Sequence, residues 1–504
     1  MDTKAIITIP ETIKVNEAFN IANAYQREDI TMKINEKEVN ELLNTDFEEP
    51  TNKPSEESFL YDVGNGKLRV CINTTANYIK DQKPIKTIWG TKNETCWVYN
   101  KGVWKPNGRE YIKTMTEELI NDHCKTNTVN EIYDKIKRTT NISWEQFNKT
   151  PIGKVCLKNG VYDFKTMTLE EHNPNYYFKS QIPIKYNKKA KCPTIMNFFE
   201  QTFYPEDLPI IQEWIGFQLF NQYFIKKAVI LFGEKDTGKT VFLNLLTTFI
   251  GKPNCAGLSL QQISNGNTFS KACLKDKYAN IFDDLSSTDI MDNGGFKIAT
   301  GGGYITGEVK FGDQFQFLNY AKHTFACNKI PNVKEVEDDA YFSRWIPIPL
   351  DNQVPNEDRD TFLINKLTAE TELSGLLNWA IEGLKRLLKK GGFSYDKTCQ
   401  EIKTIMTRHG NSLVAFSQDC LKRDDGHEIV KRDLYEVYTK YCQLTDRPRM
   451  SYNQVSRSLS KITGYVTAKR DSSGKTRVWS NVSVNKRYFF EKSDLKSLEF
   501  LENV

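Results

Sequence analysis

The sequence has little of what builds metal sites or disulfide frameworks. It contains five histidines, and its eleven cysteines are scattered singly, with no C-x-x-C pair. The nearest approach to a ligand cluster is His123-Cys124, which is more typical of the polar end of a helix than of a metal site. We therefore expect neither a zinc site nor a disulfide framework.

Long hydrophobic runs and a large charge of one sign are also missing. No apolar stretch approaches the roughly 20 residues needed to cross a bilayer, and the first residues, MDTKAIITIPETIK, lack the order of a secretory signal. We expect a cytoplasmic protein without a membrane partner. The net charge of +5 over 504 residues is too small to identify a nucleic-acid binder by itself, so the distribution of charge must be considered.

Residues 231–246 read LFGEKDTGKTVFLNLL and contain a phosphate-binding loop pattern. Residues 228–232 predict a buried strand before the loop, and residues 241–250 predict a helix whose N-terminus faces the phosphates. In such loops the backbone N–H groups converge on phosphate oxygens, the lysine reaches the outer phosphates and the hydroxyl contacts Mg²⁺. The pattern predicts a nucleotide and Mg²⁺ site formed by Gly233, Glu234, Lys235, Asp236, Thr237, Gly238, Lys239, Thr240 and Val241. The loop alone does not choose among kinases, GTPases, transporters and helicases.

Polar residues follow two apolar stretches after the loop. YANIFDDLSS places Asp283 and Asp284 at a predicted strand end, where one acid can help to hold Mg²⁺ with Thr240 and the other can orient the attacking water. An acidic turn is the alternative. AKHTFACNKIP ends a predicted strand at Asn328, whose amide can reach the outermost phosphate or its water. These residues predict a hydrolytic site.

An arginine precedes a further apolar strand in DDAYFSRWIPIPL. From this place Arg344 can stabilise transition-state charge on a nucleotide bound by the adjacent subunit. The alternative is an ion pair with Asp338 or Asp339. The first interpretation requires an oligomer.

Two further stretches predict hairpins. KIATGGGYITGEVKFGDQFQF predicts a Gly-rich turn and a hairpin carrying Lys310 and Phe311. In the last hundred residues three predicted helices precede a hairpin that turns at residues 472–474, which is the order of a winged helix. Its basic residues are Arg457, Lys461, Lys469, Arg470, Lys475 and Arg477. They predict a DNA-contacting face, with solvated surface charge as the alternative.

The order of these motifs between Gly233 and Arg344 resembles that of superfamily 3 helicases. Within that group the chain is similar to the helicase part of phage and plasmid primase-helicases related to the poxvirus one, through LKNGVYDF, YNKKAKCPTIMNFFE, IQEWIGFQLF and KRDLYEVYTKYC. The resemblance assigns residues 233–240 to Walker A, Asp283 and Asp284 to Walker B, residues 300–316 to the DNA hairpin, Asn328 to sensor 1 and Arg344 to the finger. It implies that Lys310 and Phe311 of that hairpin contact DNA, with a structural turn residue as the alternative for Lys310. It implies a homo-hexamer acting in a bacterial or archaeal host cell or at a viral replication site.

The resemblance implies an α/β fold: an AAA+-type P-loop core between an α+β accessory domain and a winged helix. With the composition changes it predicts a flexible acidic segment at 1–65, the accessory domain at 66–200, the ATPase at 201–390 and the winged helix at 400–490. We expect an ATP-dependent helicase acting on single-stranded and duplex DNA. Primer synthesis would come from a separate primase. An origin-binding initiator and an ATP-assembled DNA scaffold are the alternatives.

Overall fold

The computed structural model of the chain describes residues 55–89, 95–265, 268–286, 290–310, 314–331, 338–355, 357, 359–445, 447, 449–486 and 489. Helices and strands are mixed throughout, which confirms the α/β class. The described residues form two compact units. The first contains those up to 284 with 292–328 and 344–396, and the second contains those of 285–291, 329–343 and 397–504. The four-part domain division drawn from the sequence stays a prediction.

The N-terminal part of the first unit is a mixture of short strands and helices. In chain order these are β1 (Leu60–Asp62), β2 (Leu68–Val70), α1 (Ile72–Gln82), β3 (Ile85–Trp89), β4 (Thr95–Asn100), β5 (Val103–Lys105), α2 (Gly108–Ile120), α3 (Thr126–Thr139), β6 (Asn141–Ser143), α4 (Trp144–Phe147), β7 (Lys154–Leu157), β8 (Gly160–Asp163) and β9 (Thr168–Glu170). The strands form one sheet in the order β5-β4-β3-β6 and another in the order β7-β8-β9, with β1 and β2 paired separately.

Residues 55–65, at the end of the segment predicted to be flexible, contain regular structure. Residues 1–54 lie outside the described residues, but Glu56–Phe59 form a 3-10 turn that leads into β1. Phe59 is the cause, because its side chain is buried against α1 and α2 in an apolar cluster. Burial of a phenylalanine contributes on the order of 2 kcal/mol, which favours order in a segment whose acidic composition suggested none.

The remainder of the first unit surrounds a five-stranded sheet. Its elements are α5 (Pro193–Thr202), α6 (Leu208–Gln218), β10 (Ala228–Phe232), α7 (Lys239–Ile250), β11 (Cys255–Ala256), α8 (Leu260–Ser264), α9 (Thr268–Ala272), β12 (Ala279–Phe282), α10 (Gly294–Ala299), β13 (Tyr304–Glu308), β14 (Gln314–Leu318), β15 (Lys322–Cys327), β16 (Trp345–Pro349), α12 (Leu363–Leu367) and α13 (Glu370–Lys390). The sheet order is β11-β12-β15-β10-β16, and every pair is parallel.

The central strands are buried on both faces of this sheet. All five residues of β10 and all six of β15 are buried, as expected for a parallel sheet between helices. Helices α6 and α13 are tied together by a buried carboxylate, since Arg386 Nε donates to Glu213 Oε1 at 2.6 Å. The sequence prediction of a buried strand before the phosphate loop is therefore confirmed at residues 228–232.

The two strands of the predicted hairpin pair with each other, whereas residues 311–313 between them lie outside the described residues. Strands β13 and β14 pair antiparallel, from Tyr304 opposite Leu318 to Glu308 opposite Gln314. Helix α9 packs beside β13, and Thr268 Oγ1 donates to Glu308 Oε2 at 2.9 Å. These contacts fix the base of the hairpin within the first unit.

The second unit combines helices with a small antiparallel sheet. It contains α11 (Asp339–Phe342), α14 (Cys399–Gly410), α15 (Ser412–Cys420), β17 (Leu421–Val430), α16 (Lys431–Leu444), α17 (Tyr452–Thr463), β18 (Thr467–Arg470) and β19 (Arg477–Val484). The sheet order is β17-β19-β18. Helices α15, α16 and α17 and the β18–β19 hairpin lie where the sequence predicted three helices and a hairpin, whereas β17 was not predicted.

Candidate nucleotide-binding and DNA-contacting sites

The predicted nucleotide site lies at the carboxyl edge of the parallel sheet. Phe232 at the end of β10 is paired with Cys327 at the end of β15, and Phe282 at the end of β12 is paired with Phe325. The residues that follow these strands are Gly233, Asp283 and Asn328. Ligands of open α/β sheets bind outside the carboxyl ends of the strands, so the structure brings these residues to one edge.

The loop between β10 and α7 needs its two glycines. Gly233 has φ +154°, and a Cβ there would collide with the carbonyl oxygen of Leu350. Gly238 has φ +87° and is the N-cap of α7, with Thr202 of α5 beside it. The backbone therefore turns sharply between a strand and the N-terminus of a twelve-residue helix, where the partial positive charge of the helix favours an anion.

Lys239 points back into this loop. Its Nζ donates to the carbonyl oxygen of Gly233 at 2.8 Å, to that of Glu234, and to Thr237 Oγ1 at 3.2 Å. The residue is buried, and burial lowers the pKa of the ammonium, whereas Asp283, Glu234 and Asp236 favour its charged form. The loop thus holds a desolvated cation at the place where the outer phosphates of a nucleotide would lie.

The side chains of Thr240 and Asp283 are in direct contact. Thr240 Oγ1 donates to Asp283 Oδ2 at 2.6 Å, and both side chains are exposed at the sheet edge. A hydroxyl and a carboxylate are oxygen donors of the kind Mg²⁺ prefers, with phosphate oxygens and water completing its shell. The residues therefore fit a nucleotide-bound Mg²⁺ held by Thr240 and Asp283.

The backbone of Asp284 is held by a hydrogen bond to the side chain of the preceding residue, Asp283. Its amide donates to Asp283 Oδ1 at 2.8 Å, and its φ of +54° is uncommon for a residue other than glycine. Such conformations cluster at functional sites because the surroundings must maintain them. The carboxylate of Asp284 is exposed, so it is accessible to a water molecule at this edge of the sheet.

Asp284→Asn tests this assignment. We expect the variant to bind ATP with near-normal affinity and to hydrolyse it at least about 10²-fold more slowly, because an amide cannot accept the proton of the attacking water. The measurement is nucleotide affinity by calorimetry beside steady-state hydrolysis. Near-normal turnover would place the water-orienting group elsewhere.

The residue that follows β15 is Asn328, which has a neutral side chain. Asn328 is exposed at the sheet edge, while Cys327 before it is buried, with its Sγ donating to the Leu231 carbonyl oxygen at 3.9 Å. Burial raises the pKa of the Cys327 thiol to about 12, so the thiol stays protonated close to Lys239. The sequence prediction that the Asn328 amide contacts the outermost phosphate stays a prediction.

Arg344 lies at the opposite edge of the same sheet. It immediately precedes β16, and its carbonyl oxygen accepts from the Ala228 amide at 2.7 Å, where β10 begins. The five residues of β10 separate this point from Gly233, a distance of roughly 15 Å. The half-buried arginine is therefore remote from the phosphate loop of its own chain.

The predicted DNA-contacting residues fall into two groups. Lys310 is exposed beyond β13, whereas Phe311 lies outside the described residues. The basic residues of the second unit, namely Arg457, Lys461, Lys469, Arg470, Lys475 and Arg477, are all exposed on α17 and the β18–β19 hairpin. Lys469 Nζ pairs with Glu428 Oε1 of β17 at 2.5 Å, and Arg470 donates to the Gly474 carbonyl oxygen at 2.8 Å. Glu428, which the sequence analysis did not consider, offsets part of this charge.

Contacts around the phosphate loop include residues that the sequence analysis missed. Asp236 Oδ2 pairs with Arg359 at 2.7 Å, and its carbonyl oxygen accepts from the Val354 amide at 3.1 Å. Beside the loop, Tyr204 donates to Asp351 Oδ2 at 2.9 Å. These partners are more than a hundred residues apart in sequence, and no spacing pattern signals them.

Comparisons with known proteins agree with part of the sequence interpretation. Residues 60–204 match the family model described as "D5 N terminal like". This match supports the resemblance to phage primase-helicases over these residues. Residues 231–344 match the model described as "Family of unknown function (DUF5906)", which spans the phosphate loop, Asp283, Asn328 and Arg344. No curated protein matches the chain.

Solved structures add only weak likenesses. One apo structure of the NrS-1 C-terminal region has a TM-score of 0.46 at 13% identity and covers 81% of this chain and 98% of that one. Another, described as the A form, has a TM-score of 0.42 at 13% identity with the same coverage. Both scores are too low to establish a shared fold. Within the part of the chain that the structure describes, no helix is long and apolar enough to span a bilayer.

Proposed function

We propose that the chain is an ATP-dependent DNA helicase of the superfamily 3 type that acts in the replication of a mobile element, plasmid or virus. The observation that carries the proposal is the contact of Thr240 with Asp283 at 2.6 Å, at the edge where Lys239 and Asn328 also lie. A phosphate loop, a magnesium-holding acid and a neutral amide on three strand ends are what nucleoside triphosphate hydrolysis needs. The strand order β11-β12-β15-β10-β16 fits an AAA+-type core.

Each residue of the site would have a distinct role in binding and hydrolysing ATP. Bound Mg²⁺ would neutralise charge on the phosphates of ATP. The loop amides and Lys239 would bind those phosphates, Thr240 and Asp283 would hold the metal, and Asp284 would orient the attacking water. Asn328 would contact the outermost phosphate. Because Arg344 lies at the far edge of the sheet, it would serve the nucleotide of a neighbouring subunit in a ring, which we propose to be a homo-hexamer.

Coupling to DNA would use the exposed basic groups. The hairpin that carries Lys310 is fixed at its base beside α9, so a shift of the core would move it as one piece against a DNA strand in a central channel. The three helices and the sheet β17-β19-β18 of the second unit fit a winged helix that contacts duplex phosphates. A separate primase or loader would complete the replication machinery.

The test is ATP hydrolysis by the purified chain with and without single-stranded DNA. We expect Mg²⁺-dependent hydrolysis that DNA stimulates severalfold, since the same ring would contact both. ATP binding without any turnover would favour the DNA scaffold instead. The exposed basic face of α17 and β18–β19 keeps an origin-binding initiator as the second candidate, and sequence-specific protection of duplex DNA would favour it.

Removing charge from the second unit should weaken duplex binding. We expect Lys475→Ala with Arg477→Ala to lower affinity for duplex DNA and to reduce the slope of log affinity against log salt by about one per lost phosphate contact. Lys389→Ala with Lys390→Ala, which removes two exposed charges at the end of α13, is the matched control. Equal affinity of both double variants at matched salt would assign the basic face to solvent.

A further inference from the structure

The chain after β16 continues alongside the phosphate loop. The Leu350 amide donates to the Phe232 carbonyl oxygen at 2.8 Å, and the Val354 amide donates to the Asp236 carbonyl oxygen at 3.1 Å. Arg359 contacts both segments. Its guanidinium contacts Asp236 Oδ2 at 2.7 Å, and its Nε donates to the Val354 carbonyl oxygen at 3.3 Å.

Asp236 has a backbone conformation that few residue types adopt. It has φ +64°, in the left-handed region, between Gly233 and Gly238. Its carboxylate is half exposed, and Glu234 in the same loop is exposed as well. The loop thus carries two carboxylates as well as Lys235 and Lys239, and each carboxylate repels the phosphates of a nucleotide over distances within the screening length.

We propose that Arg359 is a positioning residue of the nucleotide site that neutralises Asp236 and so lets the loop accept the phosphates of a nucleotide. This inference rests on the proposed function. The arginine acts through the aspartate, because its Nη2 contacts the Asp236 carboxylate and its Nε donates to the Val354 carbonyl oxygen. Arg359 is therefore a determinant of nucleotide affinity that lies outside the loop motif, more than a hundred residues away in sequence.

A double-mutant cycle on the full chain tests the proposal, with Mg²⁺-ADP affinity measured by calorimetry. We expect Arg359→Ala to weaken binding about three- to tenfold at moderate salt, as the repulsion from one unpaired charge implies. Arg359→Lys should retain most of the affinity because it keeps the charge. In the Asp236→Asn background, Arg359→Ala should have little effect, since asparagine accommodates the left-handed conformation and leaves no charge to neutralise.

Lys366→Ala is the matched control, because Lys366 pairs with Asp360 at 2.6 Å in the same segment but does not contact the loop. It should leave the affinity unchanged. Arg359→Gln, which keeps the length of the side chain, serves as the second variant should Arg359→Ala fail to fold. Thermal unfolding without nucleotide checks each variant.

The outcomes separate the inference from the proposed function. Equal weakening by Arg359→Ala, or by Arg359→Gln, in the Asp236 and Asp236→Asn backgrounds would mean that the arginine contacts the phosphates directly, and unchanged affinity would remove it from the site. Either result overturns the inference while nucleotide binding by the unaltered chain stands. If the unaltered chain binds no nucleotide, the proposed function fails first and the inference with it.

Discussion

Lys239→Ala is expected to bring ATP hydrolysis to background, a loss of at least about 10²-fold. The ammonium lies within the loop, between the carbonyl oxygens of Gly233 and Glu234, and its charge would offset that of the outer phosphates in the transition state. Folding should survive, because alanine is a good helix former at the first position of α7. Steady-state hydrolysis and circular dichroism check the two halves of the prediction.

Lys252→Ala provides the control for Lys239→Ala. Lys252 is exposed and lies just beyond the other end of α7, so its loss changes net charge equally without touching the loop. We expect its turnover to match that of the unaltered chain. Comparable turnover in Lys239→Ala would mean that hydrolysis does not use this loop.

Arg344→Ala is expected to bind ATP and to oligomerise but to hydrolyse ATP poorly. The loss should be large, with the 10³- to 10⁵-fold effects of arginine fingers as the rough upper scale. The reason is geometric, because Arg344 lies at the amino edge of the sheet and Gly233 follows β10 at the carboxyl edge. An arginine so far from its own loop can act on a nucleotide only across a subunit boundary.

Mixing two inactive variants tests this directly. An intact phosphate loop from an Arg344→Ala subunit can face an intact Arg344 on a Lys239→Ala subunit, so mixed rings should regain part of the turnover. Subunit exchange is followed with differently labelled chains. Exchange without any recovered hydrolysis, or normal hydrolysis by Arg344→Ala alone, would contradict the trans assignment. Loss of stability in Arg344→Ala would favour an ion-pairing role.

The phosphate-loop region was the most predictable part of the fold. An apolar run of five residues, a loop with glycines at fixed positions and a following apolar helix are each local patterns, and residues 228–250 have that strand, loop and helix order. Asp283 and Asn328 were found because acids and amides that directly follow apolar strands reach the same edge of a parallel sheet. Their roles in catalysis stay predictions.

Strand β17 shows why other parts were missed. Seven consecutive residues between Leu421 and Ile429 are exposed, and its pairing with β19 shifts between Arg423 and Glu428. An edge strand without alternating burial carries no period-two signal. The Asp236–Arg359 pair was missed for a different reason, since the two residues meet only after β16 has paired with β10.

A strand-separation assay shows whether the chain unwinds DNA. The purified chain is incubated with Mg²⁺, ATP and forked DNA carrying either a 3′ or a 5′ single-stranded tail, with Lys239→Ala as the control. We expect ATP-dependent release of one strand from at least one of the forks and none with Lys239→Ala. The preferred tail gives the direction of movement. Hydrolysis of ATP without strand release from either fork would contradict the assignment as a helicase.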